Sequence, residues 1–295
     1  MKEKINIEVT HMSGAGNYFS VIDNRDYGFT HRQCARLAPL LCQKNDINKF
    51  ETEGLLVISE SEDETEFKAG FYNPDGSTEV MCGNGARCAV NFAAFNRFFS
   101  EEKEDKEIYF EMANKVYKSR LNRSKVQLYL PPPEEIIRNI ELELDGQKII
   151  ADFVDVNSDH LVINTEQMSE MIKKTSGDFL EKYGPELRHH ERFAPRGVNV
   201  NFYSMDNDIV MLRTYERGVE GETGACGTGA VSTALIAAFK DQTHFPVSII
   251  PPSTSPLTVD IEGEFPDNIG SMMLEGGAEE LGTVAIKVPR DKIFK

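Results

Sequence analysis

The stretch Met81-Cys82-Gly83-Asn84-Gly85-Ala86-Arg87-Cys88-Ala89-Val90-Asn91-Phe92-Ala93-Ala94-Phe95 returns later in the chain as Ala225-Cys226-Gly227-Thr228-Gly229-Ala230-Val231-Ser232-Thr233-Ala234-Leu235-Ile236-Ala237-Ala238-Phe239. The cysteine, both glycines, the alanine after them and the closing Ala-Ala-Phe are identical, and the two cysteines are separated by close to half of the 295-residue chain. A repeat on that scale predicts two homologous halves, each presenting one thiol at an equivalent place. From Ala86 to Phe95 and from Ala230 to Phe239 the residues are small or apolar on nearly every side, so each segment reads as a helix enclosed by other structure. Short enclosed helices among many short strands predict an α+β fold. Its expected form is two pseudo-symmetric domains, each a curled mixed or antiparallel, barrel-like β-sheet around a central buried helix, with the active site in the cleft between them.

The strand-like runs are Ile5–Val9, Tyr18–Ile22, Leu55–Ile58, Phe67–Tyr72 and Lys125–Leu130 in the first half. In the second half they lie around 148–156, 198–203, 209–214, 247–250 and 257–261. Arg32 to Cys42 reads as a helix, and Glu166 to Tyr183 as a second, surface helix. Asn73-Pro-Asp-Gly76 has the composition of a tight turn, with proline second and glycine fourth. Pro131-Pro-Pro133 is the expected linker, which divides the chain into residues 1–131 with a C-terminal strand at about 278–295, carrying Cys82, and residues 132–277, carrying Cys226. The charge run Glu101 to Glu107 reads as a solvated loop without function.

Composition narrows the function classes. A net charge of −16 argues against nucleic acid and anionic membrane surfaces as partners, since both need basic patches that release counterions. No run of eighteen apolar residues is present and the N-terminus lacks the apolar region of a signal peptide, so a cytoplasmic protein is expected. Five cysteines, an odd number without CxxC spacing, read as reduced thiols rather than a disulfide framework or a zinc site. The Gly-x-Gly segments lack the third glycine and the downstream acid of a dinucleotide fingerprint.

In both copies the cysteine precedes the helix that the glycines open. The first backbone N–H groups there have no intrahelical partner and the helix dipole is positive, which favours a thiolate over the ordinary thiol pKa of about 8.5. The glycines let the same amides approach a bound carboxylate. Where Cys88 is matched by Ser232, Cys82 and Cys226 are both kept, and two pseudo-equivalent thiols suit a reaction that needs a base and an acid on opposite faces of one carbon.

Further motifs accompany the pair: His11-Met-Ser-Gly-Ala-Gly-Asn-Tyr-Phe-Ser-Val-Ile-Asp23, Asn73-Pro-Asp-Gly-Ser77, Arg196-Gly-Val-Asn-Val-Asn-Phe202 and Tyr215-Glu-Arg-Gly-Val-Glu-Gly-Glu-Thr223. Together, from about residue 8 to about 280, they resemble the diaminopimelate epimerases. The resemblance implies a cofactor-independent isomerase that interconverts LL- and meso-diaminopimelate, in lysine and peptidoglycan precursor synthesis. One of Cys82 and Cys226 would act as thiolate and the other as thiol, with neither pyridoxal phosphate nor metal. By position, Asn73, Gly83, Asn84, Gly227 and Thr228 would hold the reacting amino and carboxylate groups, with Glu216 on the amine. Asn17, Asn199 and Arg217 would read the far end of the substrate, where a guanidinium suits a bidentate grip on a carboxylate. Ser158 would stand at a further substrate contact, His160 would support the cysteines, and a homodimer is implied.

Three deviations from that pattern matter. Asn157-Ser-Asp-His160 stands where the family usually reads Gly-Asn-Pro-His, so Ser158 replaces an asparagine; Tyr18 replaces an aspartate; and Glu220 is an extra residue before Cys226. None touches the acid–base pair, but a changed polar contact can shift substrate choice. The alternatives are an epimerase or racemase of the same fold acting on another amino acid, such as histidine, or an amino-acid-binding or redox-sensing protein with a Cys82–Cys226 disulfide.

Overall fold

The structure is a computed structural model that describes residues 3–44, 51–61, 64–78, 81–100, 106–122, 125–168 and 178–294. Its contacts divide the chain into two compact units, Met1–Leu128 with Gly276–Lys295, and Tyr129–Glu275.

In the first unit, β1 (Lys4–Gly14) and β2 (Asn17–Asp23) form an antiparallel hairpin turned at Ala15 and Gly16, both at positive φ. The chain then crosses over through α1 (His31–Leu41) to β3 (Gly54–Ser59), parallel to β2. The helix begins with Gln33 Oε1 accepting from the Thr30 amide at 2.8 Å, and buries Cys34, Leu37, Ala38 and Leu41. Those positions recur every three or four residues, the spacing of one helix face, and they pack on Ile7, Val9, Ile22, Leu55 and Val57. β4 (Phe67–Tyr72) returns antiparallel, and a second crossover through α2 (Gly83–Phe95) leads to β5 (Glu107–Met112), parallel to β4. β6 (Lys115–Asn122) and β7 (Lys125–Leu130) follow. The long last strand β16 (Asn268–Pro289) neighbours β7 and also pairs with β1, which closes a ring of eight strands.

The second unit opens on the hairpin β8 (Glu135–Leu144) and β9 (Gln147–Asp155), joined to β7 by the three prolines. β10 (Asp159–Asn164) is antiparallel to β9, and the chain crosses through α3 (Phe179–Arg188) to β11 (Asn199–Asp206), parallel to β10. β12 (Ile209–Glu216) returns antiparallel and carries the two-residue β13 (Gly221–Glu222). A crossover through α4 (Gly227–Phe239) reaches β14 (Val247–Ile250), parallel to β12. β15 (Leu257–Glu264) and the first part of β16 complete the sheet, and a short α5 (Arg290–Ile293) ends the chain in the first unit. α3 buries Leu180, Tyr183, Gly184 and Leu187, the spacing seen in α1.

The fold is α+β with a large mixed sheet. The parallel pairs all arise from helical crossovers, as a parallel connection requires. α2 contacts β1, β2, β3, β4 and β6, and α4 contacts β9, β10, β11, β12, β14 and β15, so each is enclosed by strands. Residues 83–90 of α2 are all buried, and α4 is buried from Gly229 to Ala238. Full burial of a Val, Leu, Ile or Phe side chain contributes about 1.5–3 kcal/mol, and burial of Val90 and Phe92 in α2 and of Val231, Leu235 and Ile236 in α4 holds two short helices that would not persist alone.

Three expectations are corrected. Phe95, read as enclosed, is 76% exposed, because α2 leaves the sheet at its last turn. A helix from Glu166 is replaced by a 3-10 turn at Thr165–Gln167 ending on an extended Met168, and the helix proper begins at Phe179. The physical cause is capping: the Asn164 side chain accepts from Glu166 and that of Asp178 from Leu180, so two starts are specified rather than one. Residues 169–177 of that span lie outside the described residues. Of the expected loop at 101–107, residues 101–105 also lie outside them, while Glu107 is the first residue of β5 and is paired with Arg120 at 3.1 Å.

Candidate active site

In the first unit, Cys82 is the N-cap of α2, in extended backbone geometry with φ −112° and ψ 112°. Its Sγ accepts from the Gly85 amide at 3.4 Å, satisfying one of the helix's orphan donors. Asn84 is buried, and its Oδ1 accepts from Arg87 Nη2 at 2.7 Å. Arg87 is 0% exposed, so the cation one turn below Cys82 is held entirely within the unit. The first motif reaches this helix through Gly14, where a Cβ would run into the Asn84 carbonyl. Asn17 pairs with Gly14 across the hairpin and is buried. Asn73 forms the expected turn, accepting on its carbonyl from Gly76 at 2.8 Å while its Nδ2 donates to Ser77 Oγ at 2.9 Å. The registers Phe19 with Gly54 and Leu55 with Tyr72 put Asn17 and Asn73 at one end of the sheet.

In the second unit, Cys226 is the N-cap of α4 with nearly the same backbone, φ −106° and ψ 111°, and its Sγ lies 3.7 Å from Thr228 Oγ1. Gly227 is the first residue of the helix and is buried. Glu216, at the end of β12, accepts from Thr223 Oγ1 at 2.8 Å. Burial pushes its carboxyl above the ordinary range, against the opposing hydrogen bonds from Thr223 and Cys226. Arg217 follows it.

Ser158, His160 and Asn199 meet where β10 and β11 begin, His160 and Asn199 being register partners. Both amide hydrogens of Asn199 are taken by protein groups, Nδ2 donating to Ser158 Oγ at 2.9 Å and to the Asp159 carbonyl at 3.0 Å, while Oδ1 accepts the Arg217 amide at 2.9 Å. It therefore fixes the start of β10 against Arg217.

His160 is 0% exposed. Burial first, and the charge of Arg217 second, push its imidazole down to about 3, so it is neutral near pH 7. Asn201, which the sequence reading passed over, lies 3.1 Å from His160 Nδ1 through Nδ2, which also donates to the Leu161 carbonyl at 3.0 Å. Thr214 fixes that amide by donating from Oγ1 to Asn201 Oδ1 at 2.9 Å. Nδ1 is thereby an acceptor, and the network assigns the ring proton to Nε2. The two-residue spacing of Asn199 and Asn201, which puts both on one face of a strand, was the available signal. Thr223 and Asp159 are further site residues that the reading did not single out. Among the described residues no group of three His, Cys, Asp or Glu side chains could hold a metal ion, and no helix is long and apolar enough to cross a membrane.

Comparison with known proteins sets this arrangement in a family. The model of the diaminopimelate epimerase family matches residues 9–123. The diaminopimelate epimerase of Aquifex aeolicus (strain VF5) is 34% identical over 279 residues, covering 92% of this chain and 94% of the relative. That of Methanocella arvoryzae is 30% identical over 247 residues, covering 81% and 84%. Among solved structures, a phenazine biosynthesis protein of the PhzF family from Bacillus anthracis superposes with a TM-score of 0.73 at 12% identity, over 96% of this chain and 100% of that one. A hydroxyproline epimerase from Agrobacterium vitis gives 0.65 at 14% identity, over 100% and 97%. At such identities the structural matches show a shared fold. The sequence matches go further: the chain belongs to the diaminopimelate epimerase family and is an isomerase, a cysteine-based amino-acid epimerase or racemase.

Proposed function

We propose that the protein inverts the α-carbon of an amino acid without a bound cofactor, using Cys82 and Cys226 as its acid–base pair. The observation that carries this reading is the double N-cap: two cysteines with nearly equal backbone angles each open an enclosed thirteen-residue helix. The thiolate of one cysteine removes the α-proton and becomes a thiol. The thiol of the other delivers its proton to the opposite face and becomes the thiolate, so the pair ends ready for the reverse reaction. Amides at the two Gly-x-Gly helix starts stabilise the substrate carboxylate and the charge that develops at the α-carbon. Glu216 receives the α-ammonium, Asn73, Asn84 and Thr228 orient the reacting groups, and Asn17 and Arg217 engage the far end. The neutral His160 supplies an Nε2–H donor. In this reading the two units are pseudo-symmetric halves, residues 1–131 with 278–295 and residues 132–277. The matching succession of antiparallel and helix-crossed parallel pairs supports it.

For the substrate we put LL- and meso-diaminopimelate first, following the relatives, with a place in lysine and peptidoglycan precursor synthesis in the cytoplasm. The second reading, an amino acid such as histidine, is favoured by Ser158, whose hydroxyl is engaged by Asn199. Proton NMR in D₂O tests both: loss of the α-proton signal of LL-diaminopimelate with appearance of the meso isomer is the expected result. Exchange of histidine alone would transfer the reading to the second substrate. Cys82→Ser should lower turnover by about 100-fold or more, and substantial activity in that variant would remove the two-thiol mechanism. The protein is proposed to work as a homodimer; light scattering showing only monomer at micromolar concentration would exclude it.

A further inference from the structure

Arg87, in the second turn of α2, is a fully buried cation. Its side chain turns back toward the helix N-terminus, the direction helical side chains take. Nη2 donates to Asn84 Oδ1 at 2.7 Å and Nη1 to the Gly83 carbonyl at 3.4 Å, so the guanidinium rests against the two residues that follow Cys82. Nε has no hydrogen-bond partner among the described residues. The groups whose charge acts on Arg87 are thiols, those of Cys88 and Cys82, and not carboxylates. A guanidinium does not escape burial by losing its proton. A buried charge without a counter-ion is strongly destabilising, so an anion belongs beside it.

Of the two thiols, Cys88 is fully buried, and burial pushes it far up despite the charge of Arg87, so it stays protonated. Cys82 is partly exposed and its Sγ already accepts from the Gly85 amide, which leaves it as the thiol able to ionise here. The strands packed on α2 bring no rival anion. β3 has no ionisable side chain, Glu8 of β1 is exposed, and Asp23 of β2 is bound by Arg25 at 2.6 Å. Nor do they bring a second free cation to the helix. Lys68 of β4 faces Glu111, and Lys118 and Arg120 of β6 face Glu107. Lys4 and Lys115 are exposed, and burial pushes His11 toward its neutral form. Tyr18 is exposed, while burial pushes Tyr72 and Tyr117 up, so they stay protonated.

The other half of the repeat lacks this cation. Ala230-Val231 aligns with Ala86-Arg87, so a buried valine stands where the guanidinium stands in α2. Cys226 is hydrogen-bonded to the carboxyl of Glu216, an acid rather than a base of positive charge. We propose that Arg87 is a positioning residue for the Cys82 thiolate, a built-in countercharge that sets the ionisation of Cys82 apart from that of Cys226. On the two-thiol reading, on which this assignment rests, two cysteines with matching backbones thus differ in the charge behind them.

The test is the pH profile of iodoacetamide alkylation at Cys82 and Cys226, read by peptide mass mapping, in the reduced wild type, Arg87→Met and Arg87→Lys. In the wild type, Cys82 alkylation should be half-maximal about one pH unit or more below the ordinary thiol value of about 8.5. In Arg87→Met that half-point should rise by about one pH unit or more, while the half-point of Cys226 stays in place. Arg87→Lys keeps the charge and should recover most of the difference. A merely structural role would alter the plateau rate and leave the half-point alone, and that result would overturn the proposal. Equal rises at Cys82 and Cys226 would also overturn it. The wild-type profile needs no variant: a Cys82 half-point at or above about 8.5 would overturn the proposal and leave the epimerase reading intact. The epimerase reading fails separately, if the reduced wild type exchanges the α-proton of no amino acid in D₂O while the Cys82 profile moves as expected.

Discussion

Asn201 Nδ2 lies 3.1 Å from His160 Nδ1, and Thr214 holds the other end of the same amide at 2.9 Å. A buried imidazole is thereby kept in one tautomer by residues on two neighbouring strands. With its pKa pushed down to about 3, against about 6.5 in the unfolded chain, His160 takes up a proton on unfolding anywhere between these values. The unfolded state then binds more protons, so stability is lost as pH falls below about 6.5. At pH 5 this amounts to about 2 kcal/mol from His160 alone. His160→Gln should show a smaller fall in melting temperature between pH 7 and pH 5 than the wild type. Equal falls would mean that His160 is not held neutral by the fold.

Thr214→Val keeps the shape of the side chain and removes the donor to Asn201. It should cost about 1–3 kcal/mol through an unsatisfied buried carbonyl oxygen, read as a lower denaturation midpoint. Turnover should fall further than the stability loss explains, because the freed amide no longer fixes His160. A Thr214→Val protein with wild-type turnover would separate the His160 network from the chemistry.

The two halves of the sequence repeat differ at their second glycine. A Cβ at Gly229 would press into Asn201 Oδ1, with Cys226 Sγ and Thr214 Oγ1 each at 3.2 Å. At Gly85 the nearest described neighbours, Leu56, Cys82 and Phe19, stand at ordinary contact distances of 3.4–3.5 Å. Gly229→Ala should therefore lower stability by about 1–3 kcal/mol, as overpacking does, while Gly85→Ala changes it by less than about 1 kcal/mol. Thermal melting of both variants checks this, and equal effects would contradict the asymmetry.

The five thiols should divide sharply on alkylation. Burial pushes Cys34 and Cys42 up to about 11 and Cys88 higher still, so none forms appreciable thiolate at pH 8. Cys82 is the one thiol of intermediate exposure. Iodoacetamide at pH 8 followed by peptide mass mapping should mark Cys82 first and leave Cys34, Cys42 and Cys88 unmodified. Early labelling of Cys88 would show that α2 opens far more readily than its burial implies.

What could be read directly from the sequence was local in origin. A cysteine before Gly-x-Gly, followed by ten mostly small or apolar residues, specifies a capped helix enclosed over most of its length, and it did so twice. The heptad-like spacing of Cys34, Leu37, Ala38 and Leu41, and the Asn73-Pro-Asp-Gly76 turn, were legible for the same reason. β10 was not, because Asp159 and His160 at its start obscure a strand in which every residue is buried. The continuous helix expected from Glu166 is not formed either, because the side chains of Asn164 and Asp178 cap two separate starts.

The sequence by itself determined the two thiols, the helices they open and the family these motifs resemble. Only the tertiary structure decided what surrounds Cys226, His160 and Arg217. His160 meets Asn201 across 41 positions of sequence, and Asp159 meets Arg217 across 58. No local pattern encodes such pairs. They exist because parallel and antiparallel strand registers bring the ends of β10, β11 and β12 to one edge, where a buried charge must find its partner or remain unsatisfied.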